Sequence, residues 1–224
     1  MEMTLPLVAG VIGAGYGWVA AANQHLLYGQ REFRTRPSAG RGLLLRRIFL
    51  AFSCALGTAA SFRPDHYDIL PSLLTSLFVC LLLTLASTDL ERKIVPNRVV
   101  YPAIALAFAT SWAWPDRTVA DVLLGGAFAF FVGGLLFGFG LLTAAVLRLP
   151  GVAFGMGDVK LILLIGLLCG WPAVLAAVVF GFLLTGLAGV VLLVTKGARA
   201  HFPLAPYLVV GGLIVLIWPG PFTA

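Results

Sequence analysis

The chain has little charge. Of its 224 residues only 11% are Asp, Glu, Lys or Arg, while 60% are hydrophobic; a soluble domain carries about a quarter charged residues. A fold of this length has too little interior to hide so much apolar sequence from water. A soluble globular domain is therefore excluded, and most of the chain has lipid as its solvent, where a spanning helix needs roughly 20 apolar residues. Cysteine is scarce too. Cys54, Cys80 and Cys169 each stand alone in an apolar stretch, with no C-x-x-C pair, so neither a zinc site nor a disulfide framework is indicated. They read as small buried hydrophobes. His25, His66 and His201 are scattered and form no metal-ligand pattern. The N-terminus lacks the basic region and small-residue cleavage site of a secretory signal, so the run from Leu5 to Leu27 reads as a retained first span. Internal repeats are absent, which counts against the inverted-repeat transporter folds.

What is present is a succession of apolar runs. Read against their breakers they predict eight helices, over 5–27, 43–62, 69–88, 98–115, 119–147, 158–171, 173–195 and 203–219. The sixth is short, closing at Trp171-Pro172. The expected fold class is an all-α membrane protein, a polytopic bundle of about eight transmembrane helices, divided into a two-span segment (1–68) and a six-helix core (69–224). Thirteen of the fifteen basic residues fall in alternate loops: Arg31, Arg34, Arg36, Arg41, Arg46 and Arg47, then Arg92, Lys93 and Arg98, then Arg148 and Lys160, then Lys196 and Arg199. The positive-inside rule makes that side cytoplasmic and puts both termini outside. The net charge of +6 then concerns membrane orientation, and nucleic acid is not an expected partner. Glycine is abundant. Gly13-x-x-x-Gly17, Gly134-x-x-x-Gly138 and Gly181-x-x-x-Thr185 read as close helix packing inside the bundle. Tyr101, Tyr207 and the tryptophans near helix ends read as interfacial belts.

With only nine acidic residues, each can be questioned. Glu2, Asp65, Asp68, Asp116 and Asp121 fall in or beside outer loops, Glu32 lies among arginines, and Glu91 reads as a solvated loop charge. Asp89 and Asp158 differ. Asp89 closes the third span, directly after L-L-L-T-L-A-S-T, and Asp158 opens the sixth, directly before V-K-L-I-L-L-I-G-L-L. A carboxylate at that depth is costly unless it faces the bundle interior, and it tends to mark function. Taken singly, Asp158 can be a helix N-cap and Asp89 can pair with Arg92 or Lys93. Their contexts are more specific than that. Gly155 and Gly157 flank Met156 in F-G-M-G-D-V-K-L, where glycines permit close backbone approach. Asp89 opens D-L-E-R-K-I-V-P-N, in which Pro96 sets a turn and Asn97 is a natural N-cap for the next span. Lys160, two positions past Asp158, lies on another side of its helix. It either snorkels to the interface or contacts lipid, substrate or the site.

At these residues the sequence resembles the type IV prepilin peptidases, membrane aspartic proteases with a G-x-G-D motif. The resemblance rests on G-x-G-D-x-K-L around Asp158, on an aspartate followed by I-V-P-N at Asp89–Asn97, and on Pro203-Leu204-Ala205-Pro206-Tyr207 ahead of Gly211-Gly212. It covers roughly Ile69 to Trp218. It implies that Asp89 and Asp158 are a catalytic pair needing no metal or cofactor, with Gly155, Gly157, Lys160, Pro96 and Asn97 binding substrate or shaping the site. It also implies that the substrates are prepilin- or pseudopilin-like precursors of type IV pili or type II secretion, which lose a short basic leader at the cytoplasmic face of the inner membrane. Two carboxylates within a few Å share one proton; the ionised one then activates a water while the protonated one donates to the scissile carbonyl. Bifunctional bacterial members also N-methylate the new terminus and carry a longer cytoplasmic insertion with paired C-x-x-C motifs. The corresponding loop here, Tyr28 to Arg47, has no cysteine, so a peptidase without the methyltransferase is expected, with anionic lipid a further partner of the arginines. The rival readings are a proton-coupled transporter or channel, an inactive secretion scaffold, and a presenilin-like protease. The last favours a Y-D context, whereas Asp89 follows threonine.

Overall fold

The computed structural model of the protein describes residues 4–28, 41–62, 68–147, 154–196, 203–218 and 220–222, and among these all regular structure is helical. Eight α-helices follow in order: α1 (Thr4–Asn23), α2 (Arg41–Ser61), α3 (Ile69–Arg92), α4 (Asn97–Ala109), α5 (Val119–Leu147), α6 (Met156–Cys169), α7 (Ala173–Lys196) and α8 (Ala205–Ile217). Five stretches are long and apolar enough to cross a membrane alone: Thr4–Leu27, Gly42–Ser61, Ile69–Arg92, Val119–Val146 and Ala173–Val191. The other three helices, α4, α6 and α8, have 13, 14 and 13 residues. At 1.5 Å per residue each is about 20 Å long, shorter than the roughly 30 Å hydrocarbon layer. Of the arginines counted in the charge pattern, Arg31, Arg34, Arg36, Arg148 and Arg199 lie outside the described residues.

The predicted helix 98–115 is shorter than its apolar run. It ends at Ala109, passes through a 3-10 turn at Ser111–Ala113, and cannot resume because the residue before Pro115 is driven out of the α region. That turn brings Trp114 inward. Its Nε1 donates to Thr75 Oγ1 at 3.1 Å and its ring lies 6.1 Å from that of Phe78. Trp114 is 3% exposed, so it belongs to the core rather than to an interfacial belt. Arg117 is buried beside it. The Arg117 guanidinium stands 5.0 Å from the centre of the Trp114 ring and donates to the Leu168 carbonyl, where the last turn of α6 leaves carbonyls without helical partners.

The main core is built from α3 to α8, with α6 at its centre. Val159, Leu161, Ile162, Leu164, Ile165 and Leu168 of α6 are all buried, as expected of a helix that is apolar on every side. Glycines set the close crossings. A Cβ on Gly166 would lie 2.6 Å from the Gly125 carbonyl oxygen, and one on Gly211 would lie 2.6 Å from the Ala177 carbonyl oxygen. Gly13 and Gly17 pack against α2, and Gly181 against Leu208, as the small-residue spacing predicts. Gly134 and Gly138 do not follow it. Nothing among the described residues lies within 4 Å of a Cβ at either, and they lie in an open groove on α5 with Phe130, Phe131 and Phe139.

The α1–α2 hairpin packs on α3 through Ala21, Leu50, Cys54 and Cys80. All three cysteines are buried free thiols. An ion-pair cluster closes this interface at its end, and it corrects the reading of Glu91 as a solvated charge. Arg46 Nη1 lies 2.6 Å from Glu91 Oε2, with both side chains about 15% exposed or less, and the Tyr28 hydroxyl donates to the same oxygen at 2.8 Å. Burial, with the nearby Glu91 carboxylate, holds the Tyr28 phenol far above its ordinary pKa, so it stays a donor. Arg46 is 45 residues from Glu91 in the sequence, which is why the run E-R-K alone reads as a loop. Replacing Glu91 with leucine should lower stability by about 3 kcal/mol, because it strands a mostly buried guanidinium. Thermal unfolding in detergent measures this, and Arg46→Met in the same chain should recover part of the loss.

Candidate active site

Asp89 lies in the last turn of α3. The helix stops there because Lys93 adopts the left-handed conformation (φ 55°, ψ 41°), with its N–H bonded to the Asp89 carbonyl at 2.8 Å. Pro96 then holds the chain extended (φ −71°, ψ 122°) and its carbonyl starts α4, accepting from the Val99 and Val100 N–H groups. Asp89 is 6% exposed and makes no salt bridge with Arg92 or Lys93 among the described ion pairs. Arg92 lies against Glu91 instead, at 3.7 Å. The Asp89 Oδ2 accepts the backbone N–H of Ala205 at 3.1 Å. Ala205 opens α8, and the first four N–H groups of a helix lack helical partners and carry its positive end, so the carboxylate is held by a donor that suits its charge.

Asp158 is the third residue of α6. Gly155 is the cap residue, and its N–H donates to Asp158 Oδ2 at 3.0 Å while the Asp158 N–H donates back to the Gly155 carbonyl at 3.0 Å. The capping expectation for Asp158 therefore describes a real bond, made from inside the helix rather than from the cap position. It engages one carboxylate oxygen, the same arrangement as at Asp89. The two aspartates lie on elements that meet, since Val95, six residues after Asp89, packs against Gly157, the neighbour of Asp158. Each aspartate has one oxygen, Oδ2, fixed by a backbone N–H, and its other oxygen makes no described bond.

The flanking residues divide. Gly157 does not keep its bare side open for a peptide: a Cβ there would lie 3.1 Å from Val95 Cβ, because the segment after Asp89 packs against the first turn of α6. At Gly155 the nearest atom to a Cβ would be Asp158 Oδ2, at an ordinary 3.6 Å. Asn97 is not the side-chain cap of α4. Pro96 takes the cap position and Asn97 is the first helical residue, which leaves its side chain to accept from Lys160 Nζ at 2.9 Å. Lys160 also stands 4.7 Å from the centre of the Tyr101 ring, and its bond to Asn97 is exposed. The Ala205 N–H was not among the predicted site groups, although the P-L-A-P element that carries it is visible in the sequence.

The depth of the pair also differs from that of the neighbouring helix ends. Gly133 of α5 faces Val159, next to Asp158, and α5 runs on to Leu147, roughly 20 Å farther. No charged residue interrupts that stretch before Arg148. Asp158 sits at the end of its own helix, level with the middle of α5 rather than with its end.

Comparison with known proteins matches residues 76–194 to the type IV leader peptidase family. Curated relatives include the prepilin leader peptidase/N-methyltransferases of Pseudomonas aeruginosa, 25% identical over 145 residues (63% of this chain and 48% of the relative), and of Xanthomonas campestris, 26% identical over 142 residues (62% and 47%). The one from Bacillus subtilis is 26% identical over 144 residues (63% and 54%). The chain spans about half the length of the curated relatives it matches. No solved structure matches it.

Proposed function

The chain belongs to the type IV leader peptidase family, and we propose that it is a membrane aspartic endopeptidase that removes the basic leader from prepilin- or pseudopilin-like precursors. The observation that carries this reading is the convergence of Asp89 and Asp158 from helices about 70 residues apart in sequence, each with Oδ2 held by a backbone N–H. Like charges brought together favour one shared proton. The ionised carboxylate removes a proton from a water between the two, the water oxygen bonds to the scissile carbonyl carbon, and the protonated carboxylate donates to the carbonyl oxygen. When the tetrahedral centre collapses, the C–N bond breaks and the leaving nitrogen takes a proton from the pair. Acid and base roles belong to the pair, not to either residue.

The proposed orientation follows the basic loops: an inner-membrane, multi-pass protein with both termini outside and the aspartates toward the cytoplasmic face. Because the pair is inboard of the α5 end, the leader must reach inward along the bundle while the precursor's apolar helix stays in lipid. The peptidase work is assigned to 69–224, with 1–68 as a flanking two-span segment. The short cysteine-free stretch between α1 and α2 supports leader cleavage without the methyltransferase named for the relatives.

The reading is tested by incubating the purified chain in detergent with a synthetic precursor, a basic leader joined to an apolar helix, and locating the cut by mass spectrometry. The expected result is a single cut at the leader–helix junction, unaffected by a chelator. No cleavage of any such precursor, or strong inhibition by EDTA, would overturn it.

A further inference from the structure

A second contact, apart from the carboxylates, ties α6 to the segment that follows Asp89. Lys160 donates to Asn97 Oδ1 at 2.9 Å and lies over the Tyr101 ring at 4.7 Å. Asn97 and Tyr101 are four residues apart on α4 and so share one face. Together they present an amide oxygen and an aromatic face to the same ammonium, and both attract a cation. The bond is exposed, yet the ammonium is received by two groups of another helix, which gives it a fixed direction as well as access to water.

The two sides of this contact differ in stiffness. On one side, the connection between α3 and α4 is constrained at both ends, by the left-handed Lys93 and by Pro96 with its fixed φ. On the other, Gly155 and Gly157 flank Met156 at the start of α6, and glycine restricts the backbone least. Val95 packs against Gly157 from the stiff side, but a glycine offers no side chain to hold that packing in register. The Lys160–Asn97 bond supplies the missing directional link, two residues beyond Asp158.

We propose that Lys160 is a positioning residue: its bond to Asn97, seated on Tyr101, latches the first turn of α6 to the start of α4 and sets the separation of the Asp89 and Asp158 carboxylates. This rests on the reading of the two aspartates as the working pair. A single water bridges both carboxylates only where each lies within hydrogen-bond reach of it. A misplacement of about 1 Å in such an arrangement costs up to about 100-fold in rate.

The experiment uses the full chain in detergent with the synthetic precursor, comparing Lys160→Met, Lys160→Arg, Asn97→Ala and the double variant Lys160→Met/Asn97→Ala. Lys160→Met and Asn97→Ala should each lower kcat by about 10- to 100-fold while leaving KM within about twofold, the pattern of a lost transition-state geometry rather than lost binding. The double variant should be no slower than the worse single variant, since both remove one bond. Lys160→Arg should recover most of the rate, because a guanidinium also donates and stacks on a ring. A wild-type kcat in Lys160→Met, multiplying losses in the double variant, or a loss confined to KM would each overturn the latch. Unfolding temperature is followed throughout, and Asn97→Ala, at an exposed residue, decides the matter if Lys160→Met does not fold. Asp89→Asn and Asp158→Asn are run beside them. If both remain active, the reading of the pair fails; if both are inactive and Lys160→Met is fully active, only the latch fails.

Discussion

Asp89→Asn and Asp158→Asn are each expected to lower leader cleavage on the order of 10³-fold, within the range for losing a positioned acid or base. The amide is nearly isosteric with the carboxylate, and its oxygen can still accept the Ala205 N–H at position 89 or the Gly155 N–H at position 158. The helix starts at α8 and α6 should therefore survive, and the unfolding temperature should move little. What is lost is the capacity to share a proton, which needs two carboxyl groups. Groups that act as a unit are strongly non-additive, so the double variant should be about as slow as either single one. Initial rates of precursor cleavage, read by mass spectrometry, decide the point. A single variant that cleaves at the wild-type rate would remove that residue from the mechanism.

Gly166→Leu should prevent stable folding, or lower stability by at least about 3 kcal/mol, the upper part of the usual overpacking range. At Gly166 an added Cβ would meet the Ala129 side chain and would lie 2.6 Å from the Gly125 carbonyl oxygen. The Gly125 oxygen is backbone and cannot rotate away, so α5 and α6 would have to separate. Because α6 carries Asp158, a chain that does fold should also be a poor enzyme. Gly186→Leu is the control. A Cβ there has no described neighbour within 4 Å, and the added apolar surface faces lipid or open space, so its unfolding temperature should stay close to wild type. Equal losses in the two variants would mean that the α5–α6 crossing is not the tight contact described.

The two glycines also show why motif spacing alone could not separate buried from open stripes. Gly13, Gly17 and Gly181 do pack helix on helix, whereas Gly134 and Gly138, with the same spacing, face no described neighbour. In a membrane chain both sides of a helix are apolar, so periodicity carries little information about which side meets protein. Glu91 is the same problem in charge. Its role depends on Arg46 and Tyr28, brought to it by the α1–α2 hairpin from far upstream.

The low charge and long apolar runs determined the membrane class, the helical fold and the approximate helix order, because lipid admits only structures whose backbone bonds are satisfied internally, and here the run lengths suit helices rather than strands. The scarcity of acidic residues singled out Asp89 and Asp158, and their motifs pointed to the family. Tertiary structure alone decided what holds each carboxylate. The Ala205 N–H reaches Asp89 across 116 residues, Val95 rather than a substrate fills the bare side of Gly157, and Asn97 serves Lys160 instead of capping its own helix. These are contacts between chain segments distant in sequence, fixed by how close-packed helices cross and where each one ends. Local composition can place a residue at the end of a helix, but only the crossings determine which distant group meets it there.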